Sequence, residues 1–188
     1  IQISDPHFGT EQPQVMAALT SLVKQQKPNL VVLSGDITQR AKPAQFQAAR
    51  RFMDSLQVHF LAIPGNHDIP LLNLWSRLRN PYARHIAAFG AELEPVYSSP
   101  DMMVICVNTT RAWRHKHGEL SASQIARVAD VLSSASAEQL RIVVVHQPIA
   151  VTRATDAIHV LRGHAEALTA WSAAGADLVM GGHIHLPY

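Results

Sequence analysis

Short, wholly apolar runs that each stop at a histidine or acid motif constrain this chain more than any other feature. Leu30-Val31-Val32-Leu33 runs into Ser34-Gly35-Asp36, and Ile142-Val143-Val144-Val145 runs into His146-Gln147-Pro148. A strand without polar alternation is buried on both faces, so it belongs inside a sheet covered on each side. Between the runs lie longer stretches with apolar residues at helical spacing. Val15, Leu19, Leu22 and Val23 form one such stripe within Gln14–Gln26, and Phe46, Ala49, Phe52 and Met53 form another after Pro43. Pro43 suits a first helical turn, where its missing N–H is not needed. Strands alternating with helices predict an α/β fold.

Further strands are predicted at Ile1–Ser4, Val58–Ile63, Met102–Val107 and Asp177–Met180. Helices are predicted from Ser121, a fitting cap, to Leu132, and over about Gly163–Ala174. Asn80-Pro81 should break a helical stretch, and Pro95–Pro100 reads as a turn or edge strand. The 188 residues suit one domain, residues 1–188, without repeats or a linker. The sequence opens inside a strand without methionine and stops just after a motif, so the natural chain is expected to extend at both ends.

Composition narrows the function. Hydrophobic residues make up 47% and charged residues 16%, a globular balance. A net charge of +2 does not indicate a nucleic-acid surface. No apolar run approaches the roughly 20 residues a membrane helix needs. Cys106 is the one cysteine, which rules out an intrachain disulfide or a thiolate metal cage and agrees with a reducing, cytoplasmic location. Eleven histidines, by contrast, are an excess.

Several of those histidines, with acid partners, fall just after strand ends, where open α/β sheets place their ligand sites. The motifs are Asp5-Pro6-His7, Gly35-Asp36, Gly65-Asn66-His67-Asp68, His146-Gln147-Pro148 and Gly181-Gly182-His183-Ile184-His185. Taken singly, each has an ordinary reading: a structural histidine, a glycine turn, an asparagine at positive φ. As a set they do not. Several unpaired polar groups buried at one edge would cost several kcal/mol each, and a pair of cations removes that cost. In Asp5-x-His7 and His183-x-His185, alternate residues of an extended segment point the same way, so each pair is expected to converge on one ion. Carboxylate, imidazole and amide donors without sulfur suit manganese, iron or zinc in open coordination. Gly35, Gly65, Gly181 and Gly182 are expected to let the backbone turn sharply beside the ions.

This ordered set resembles the calcineurin-like metallophosphoesterases, whose pattern is D-x-H, GD, GNH-D/E, a lone His and GH-x-H. All five parts stand here in order and span nearly the whole chain. The resemblance implies two packed mixed β-sheets flanked by helices, a four-layer α/β/β/α sandwich, with the final C-terminal strands outside this sequence. It implies that Asp5, His7, Asp36 and His185 hold one metal, and that Asp36, Asn66, His146 and His183 hold the second, with Asp36 bridging. His67 would then be catalytic rather than a ligand, facing the substrate with Asn66. The implied cofactors are two divalent or trivalent ions, Mn, Fe or Zn, sharing a hydroxide for in-line attack on phosphorus.

Ile3-Ser4-Asp5-Pro6-His7-Phe8-Gly9, His146-Gln147-Pro148 and Gly118-Glu119-Leu120-Ser121 with Gln124 are similar to the cyclic-nucleotide phosphodiesterase group. The implied activity is hydrolysis of phosphodiesters such as 3′,5′-cyclic nucleotides. Phosphomonoesterase and nuclease readings use the same site, and a non-catalytic scaffold is a further alternative. A small phosphate ester is the expected partner, and a homo-oligomer fits the family. The family's protein phosphatases carry GD-x-x-DRG, where this chain has Gly35-Asp36-Ile37-Thr38-Gln39-Arg40-Ala41. The acid that would orient His67 is therefore missing, and Asp68 is the candidate substitute by proximity in sequence.

Other residues read more plainly. Arg111, Arg114, His115, Lys116 and His117 form a basic loop, read as solvated, with a substrate-facing loop as the alternative. Trp75, Trp113 and Trp171 read as core or rim packing rather than base-stacking platforms. His59, His85, His159 and His164 lack motif context and receive no function, and Cys106 reads as a small core residue.

Overall fold

In the computed structural model, which describes residues 1–185, strands and helices alternate along most of the chain. The order is β1 (Gln2–Ile3), α1 (Pro13–Gln26), β2 (Val31–Ser34), α2 (Pro43–Ser55), β3 (Phe60–Ile63), α3 (Leu74–Arg79) and α4 (Ala83–Phe89). It continues with β4 (Val96–Ser98), β5 (Met102–Cys106), α5 (Ala122–Ser133), β6 (Leu140–Val144), α6 (His164–Ala173) and β7 (Leu178–Met180). Pro43 does open α2, and Ser121 caps α5 by accepting from Gln124 N, with Gln124 Oε1 accepting in return from Ser121 N. Asn80-Pro81 separates α3 from α4, and Val96–Ser98 is an antiparallel edge strand.

Two sheets form. One has the order β1-β2-β3 and is parallel throughout; the other, β4-β5-β6-β7, is mixed through its antiparallel β4. The continuous apolar runs are explained by burial on both faces. Val31 and Leu33 of β2 face α1 and α2, packing with Val23, Ala49 and Met53, whereas Val32 faces the other sheet. In the second sheet Met103, Ile105, Val143 and Val145 pack with Val128, Leu132, Ala167 and Trp171 of α5 and α6. Val104, Cys106 and Val144 turn inward to meet Val32, Leu61 and Ile63. The layers are therefore helix, sheet, sheet, helix, as the resemblance implied. Cys106 is fully buried in the middle layer, and burial pushes its thiol up to about 12, so it behaves as a small apolar residue.

No helix among the described residues is long and apolar enough to cross a membrane. Parallel pairing aligns the carboxyl ends of β1, β2, β3, β6 and β7 at one edge of the two-sheet core. Gln2 ties the sheets together there, its Nε2 donating to Ser34 Oγ and to Gly181 O.

His85, on α4, is fully buried, edge-on to Phe46 and close to Phe89. Burial pushes its imidazole down to about 4, against a small opposing contribution from the Ala62 backbone. A histidine held neutral by the fold supports stability above its unfolded value of 6.5, and that support is lost as pH falls from 6.5 toward 4. The loss amounts to on the order of 3 kcal/mol. Urea unfolding of the metal-free protein at a series of pH values should therefore show a shallower decline for His85→Leu than for the wild type. Parallel declines would show that His85 is not the group responsible.

Candidate functional site

The turn after each of these five strands carries one motif, and the backbone there is unusual. Asp5, His7, Asp36, His183 and His185 all have positive φ, at 55°, 46°, 46°, 73° and 54°. An L-residue in this left-handed region costs about 1–2 kcal/mol, and such strain concentrates at functional sites. The expectation of extended Asp-x-His and His-x-His segments is thus corrected: left-handed turns, not strand alternation, aim these side chains. Main-chain pairing continues past the strands and holds the turns, with Asp5 N donating to Gly35 O, His7 N to Asp36 O and Phe8 N to Ile37 O.

The side chains gather in two groups, Asp5 with His7 and His185, and Asp36 with His146 and His183. The first pair converges as expected. The second does not, because His183 and His185 go to different groups.

In the first group, Asp5 Oδ2 accepts from Ser4 Oγ and from His183 N, which leaves Oδ1 buried without a partner, 3.5 Å from His185 Nε2. His7 Nε2 and His185 Nε2 stand 3.1 Å apart, and burial lowers the pKa of His7 more than the nearby carboxylates raise it. In the second group, His146 Nδ1 is 3.0 Å from Ser34 O and donates to it, so Nε2 carries the lone pair. That lone pair is buried 3.3 Å from Asp36 Oδ1. Two acceptors face one another, and only a proton or a cation between them relieves the repulsion.

Electrostatics point the same way. Burial favours a neutral His146, yet the Asp36 charge overrides it and lifts His146 to about 9. Burial likewise opposes charge on Asp36, but His146 and the backbone N–H of His67 hold its carboxyl well below the usual range. A site that holds a proton this firmly has the field to hold a cation. His183 is pushed down to about 3, first by burial and then by His146, so it is a neutral donor. Asn66 Oδ1 and His183 Nδ1 are also buried without partners. The donor set therefore fits two metal ions.

Glycine serves chiefly for close approach. A Cβ on Gly35, at φ 91°, would meet the His146 ring, and one on Gly65 would collide with the Asp36 backbone and carboxylate. Asp68 completes the scaffold. Fully buried, its carboxylate accepts from Ile37 N, Thr38 N, Thr38 Oγ1 and Gly65 N. Burial and the charge on Asp36 push it up to about 6, which leaves it ionised at neutral pH. Its carboxylate is taken up by these donors and forms no hydrogen bond to the His67 ring among the described residues, so its candidacy as the acid that orients His67 is corrected. The carbonyl of Gln39 does that instead, 3.0 Å from His67 Nδ1.

A cleft of about 460 Å³ opens over both groups, lined by His7, Asp36, Asn66, His67, His183 and His185 together with Thr10, Gln39, His115, Lys116 and His159. The basic loop divides. His115 and Lys116 face the cleft, whereas Arg114 pairs with Glu119 at 2.6 Å and Arg111 bonds Gln124. Arg77, nearly buried, pins the loop by donating to Pro70 O and Arg114 O. Trp171 is a core residue, while Trp75 and Trp113 are exposed and Arg79 covers the Trp75 ring. Sequence reasoning missed His159, 3.2 Å from His183. Its only signal is its presence in the segment between His146 and the last helix.

The fold and this site define a two-sheet α/β protein with two adjacent candidate metal sites. The chain belongs to the calcineurin-like phosphoesterase family, whose profile matches residues 1–187. It is 29% identical over 172 residues to a probable cyclic nucleotide phosphodiesterase of Synechococcus, covering 90% of this chain and 62% of that protein. A glycerophosphodiester phosphodiesterase of Enterobacter lignolyticus is 36% identical over 77 residues, 35% of this chain and 28% of that protein. The chain thus spans less than two thirds of the length of these curated relatives. Among solved structures, a dimetal phosphatase from Danio rerio shares the fold with a TM-score of 0.71 at 14% identity, covering 99% of this chain and 88% of that one. A purple acid phosphatase of yellow lupin gives 0.70 at 16% identity, covering 98% and 37%.

Replacing Asp68 by alanine strands four buried donors and should cost roughly 3 kcal/mol or more. Urea unfolding of Asp68→Ala should show that loss together with weakened metal uptake. A variant with unchanged stability would show that Asp68 does not hold the two turns.

Proposed function

We propose that this protein hydrolyses phosphate esters with two bound metal ions, and that phosphodiesters such as cyclic nucleotides are its substrates. The observation that carries the reading is the pair of donor groups, with buried lone pairs left unpartnered, opening into one cleft. Asp5, His7, Asp36 and His185 would hold one ion, and Asp36, Asn66, His146 and His183 the other, with Asp36 common to both sets. Such ions would supply a water of lowered pKa and neutralise charge on phosphate oxygens.

The chain's own residues do the rest. Asn66 and His67 would face the phosphate, and the three-residue 3-10 turn Asn66–Asp68 carries both to the cleft lining. His67 Nδ1 is taken by Gln39 O, so Nε2 is the atom that meets the substrate. As imidazolium it donates a proton to the departing oxygen, which an alkoxide leaving group requires. Arg40 and Lys116 stand around His67 and the cleft mouth, where cationic groups draw in a phosphate anion. His115, its pKa lowered by burial and by neighbouring cations, lines the same wall as a neutral imidazole. Ile69 and Leu71 form an apolar wall beside His67, suited to the body of an ester group. The diester preference is supported by the phosphodiesterase names of the two curated relatives.

The experiment is metal analysis combined with a substrate panel. Two ions per chain should bind, chelation should abolish turnover, and diesters should exceed monoesters in kcat/KM. No more than one ion under saturating metal would overturn the dinuclear reading, and a preference for monoesters over every diester would overturn the substrate class.

His67→Ala should keep near-normal metal content and lose about 10²–10⁴-fold in kcat on a diester with a poor alkoxide leaving group. With a nitrophenolate leaving group the loss should shrink, because little protonation is needed. Equal losses on both would make His67 a phosphate-binding residue, and loss of metal would make it a ligand.

A further inference from the structure

His159 has no place in the five motifs, yet it lies against the site. It ends a short 3-10 turn, Ala154–His159, which is pinned on both sides. His117 Nδ1 donates to Ile158 O at 3.1 Å, and Leu161, fully buried, donates its N–H to Pro148 O. This holds His159 Nδ1 3.2 Å from His183 Nε2, with the ring centroids 5.1 Å apart and the planes at 67°. His183 Nδ1, the other ring nitrogen, is buried without a partner. A neutral imidazole has one N–H and one lone pair, so the nitrogen that finds an acceptor decides which atom is left to bind a cation.

We propose that His159 is the positioning residue of His183: His183 Nε2–H donates to His159 Nδ1 and so leaves His183 Nδ1 as the lone pair offered to the site shared with Asp36 and His146. The inference rests on the dinuclear reading above. Metal-binding histidines gain ligand basicity and a fixed ring orientation when the second nitrogen donates to an acceptor. For His146 that acceptor is a backbone carbonyl, Ser34 O. For His183 it is a side chain, which can be changed without disturbing the main chain. His159 takes the Nε2–H tautomer, and its own Nε2–H is left for the cleft that it lines.

The test is titration of the full chain with Zn²⁺ against a competing chelator, in the wild type, His159→Leu and His159→Asn. Wild type should show two binding steps. In His159→Leu one step should weaken by about 10–100-fold, the same step that Asn66→Ala weakens, while the other stays unchanged. In His159→Asn the amide oxygen stands where Nδ1 was and should restore the step. Nitrogen-detected imidazole spectra of the zinc-loaded wild type should show His183 protonated at Nε2. Two unchanged steps in His159→Leu, equal weakening of both, or a proton on His183 Nδ1 would each overturn the inference and leave the dinuclear reading standing. A wild type without two zinc steps would overturn both together.

Discussion

Left-handed backbone at Asp5, His7, Asp36, His183 and His185 is the constraint on which the site depends. A strand that simply continued would send successive side chains to opposite faces of the sheet. Reversing φ just beyond the strand end turns the carboxylates and imidazoles into one cleft. Aspartate and histidine tolerate this region better than β-branched residues do, so the chemistry and the backbone select the same residue types. The cost is carried by neighbouring bonds. Asp5, His7 and Phe8 keep their N–H groups paired to Gly35, Asp36 and Ile37, and Asp68 gathers four donors from the turns that bear Asp36 and Asn66.

Each donor group draws on both sheets. Asp5 and His7 follow β1 while His185 follows β7; Asp36 follows β2 while His146 and His183 follow β6 and β7. Neither group is complete until the apolar middle layer of Val32, Leu61, Ile63, Val104, Cys106 and Val144 has closed. An ion that binds both sheets at once binds only the folded chain, and it stabilises that state by mass action. The bonds between the sheet edges, Gln2 to Gly181 and His183 N to Asp5 Oδ2, therefore act on packing and on the site together.

How much was legible follows from what each signal encodes. Uninterrupted runs such as Val31–Leu33 encode burial on two faces, so the strands and the edge that carries the motifs could be read directly, while the two-sheet layering was legible only through the family resemblance. The motifs named the residues that meet, because residue type carries the donor chemistry. Direction was another matter. His183 and His185 look equivalent in sequence, yet they part to different groups, because left-handed φ is set by long-range pairing rather than by local spacing. Asp68 looked like a partner for His67 and proved to be a scaffold, since adjacency along the chain does not place two side chains together. His159 and Lys116 sit in loops whose course is fixed by tertiary contacts such as Arg77 with Arg114 O.

Gln39 shows how a departure from a motif can preserve geometry while changing electrostatics. A carboxylate beside His67 would orient the ring and also favour its charged form. The Gln39 carbonyl orients the ring at 3.0 Å without supplying a full negative charge. Around His67 stand His7, whose ring lies edge-on at 4.8 Å, the guanidinium of Arg40, and the Asp36 carboxylate that accepts from the His67 backbone N–H. The departure from the motif therefore keeps the aim of the ring while replacing a charged partner with a neutral one.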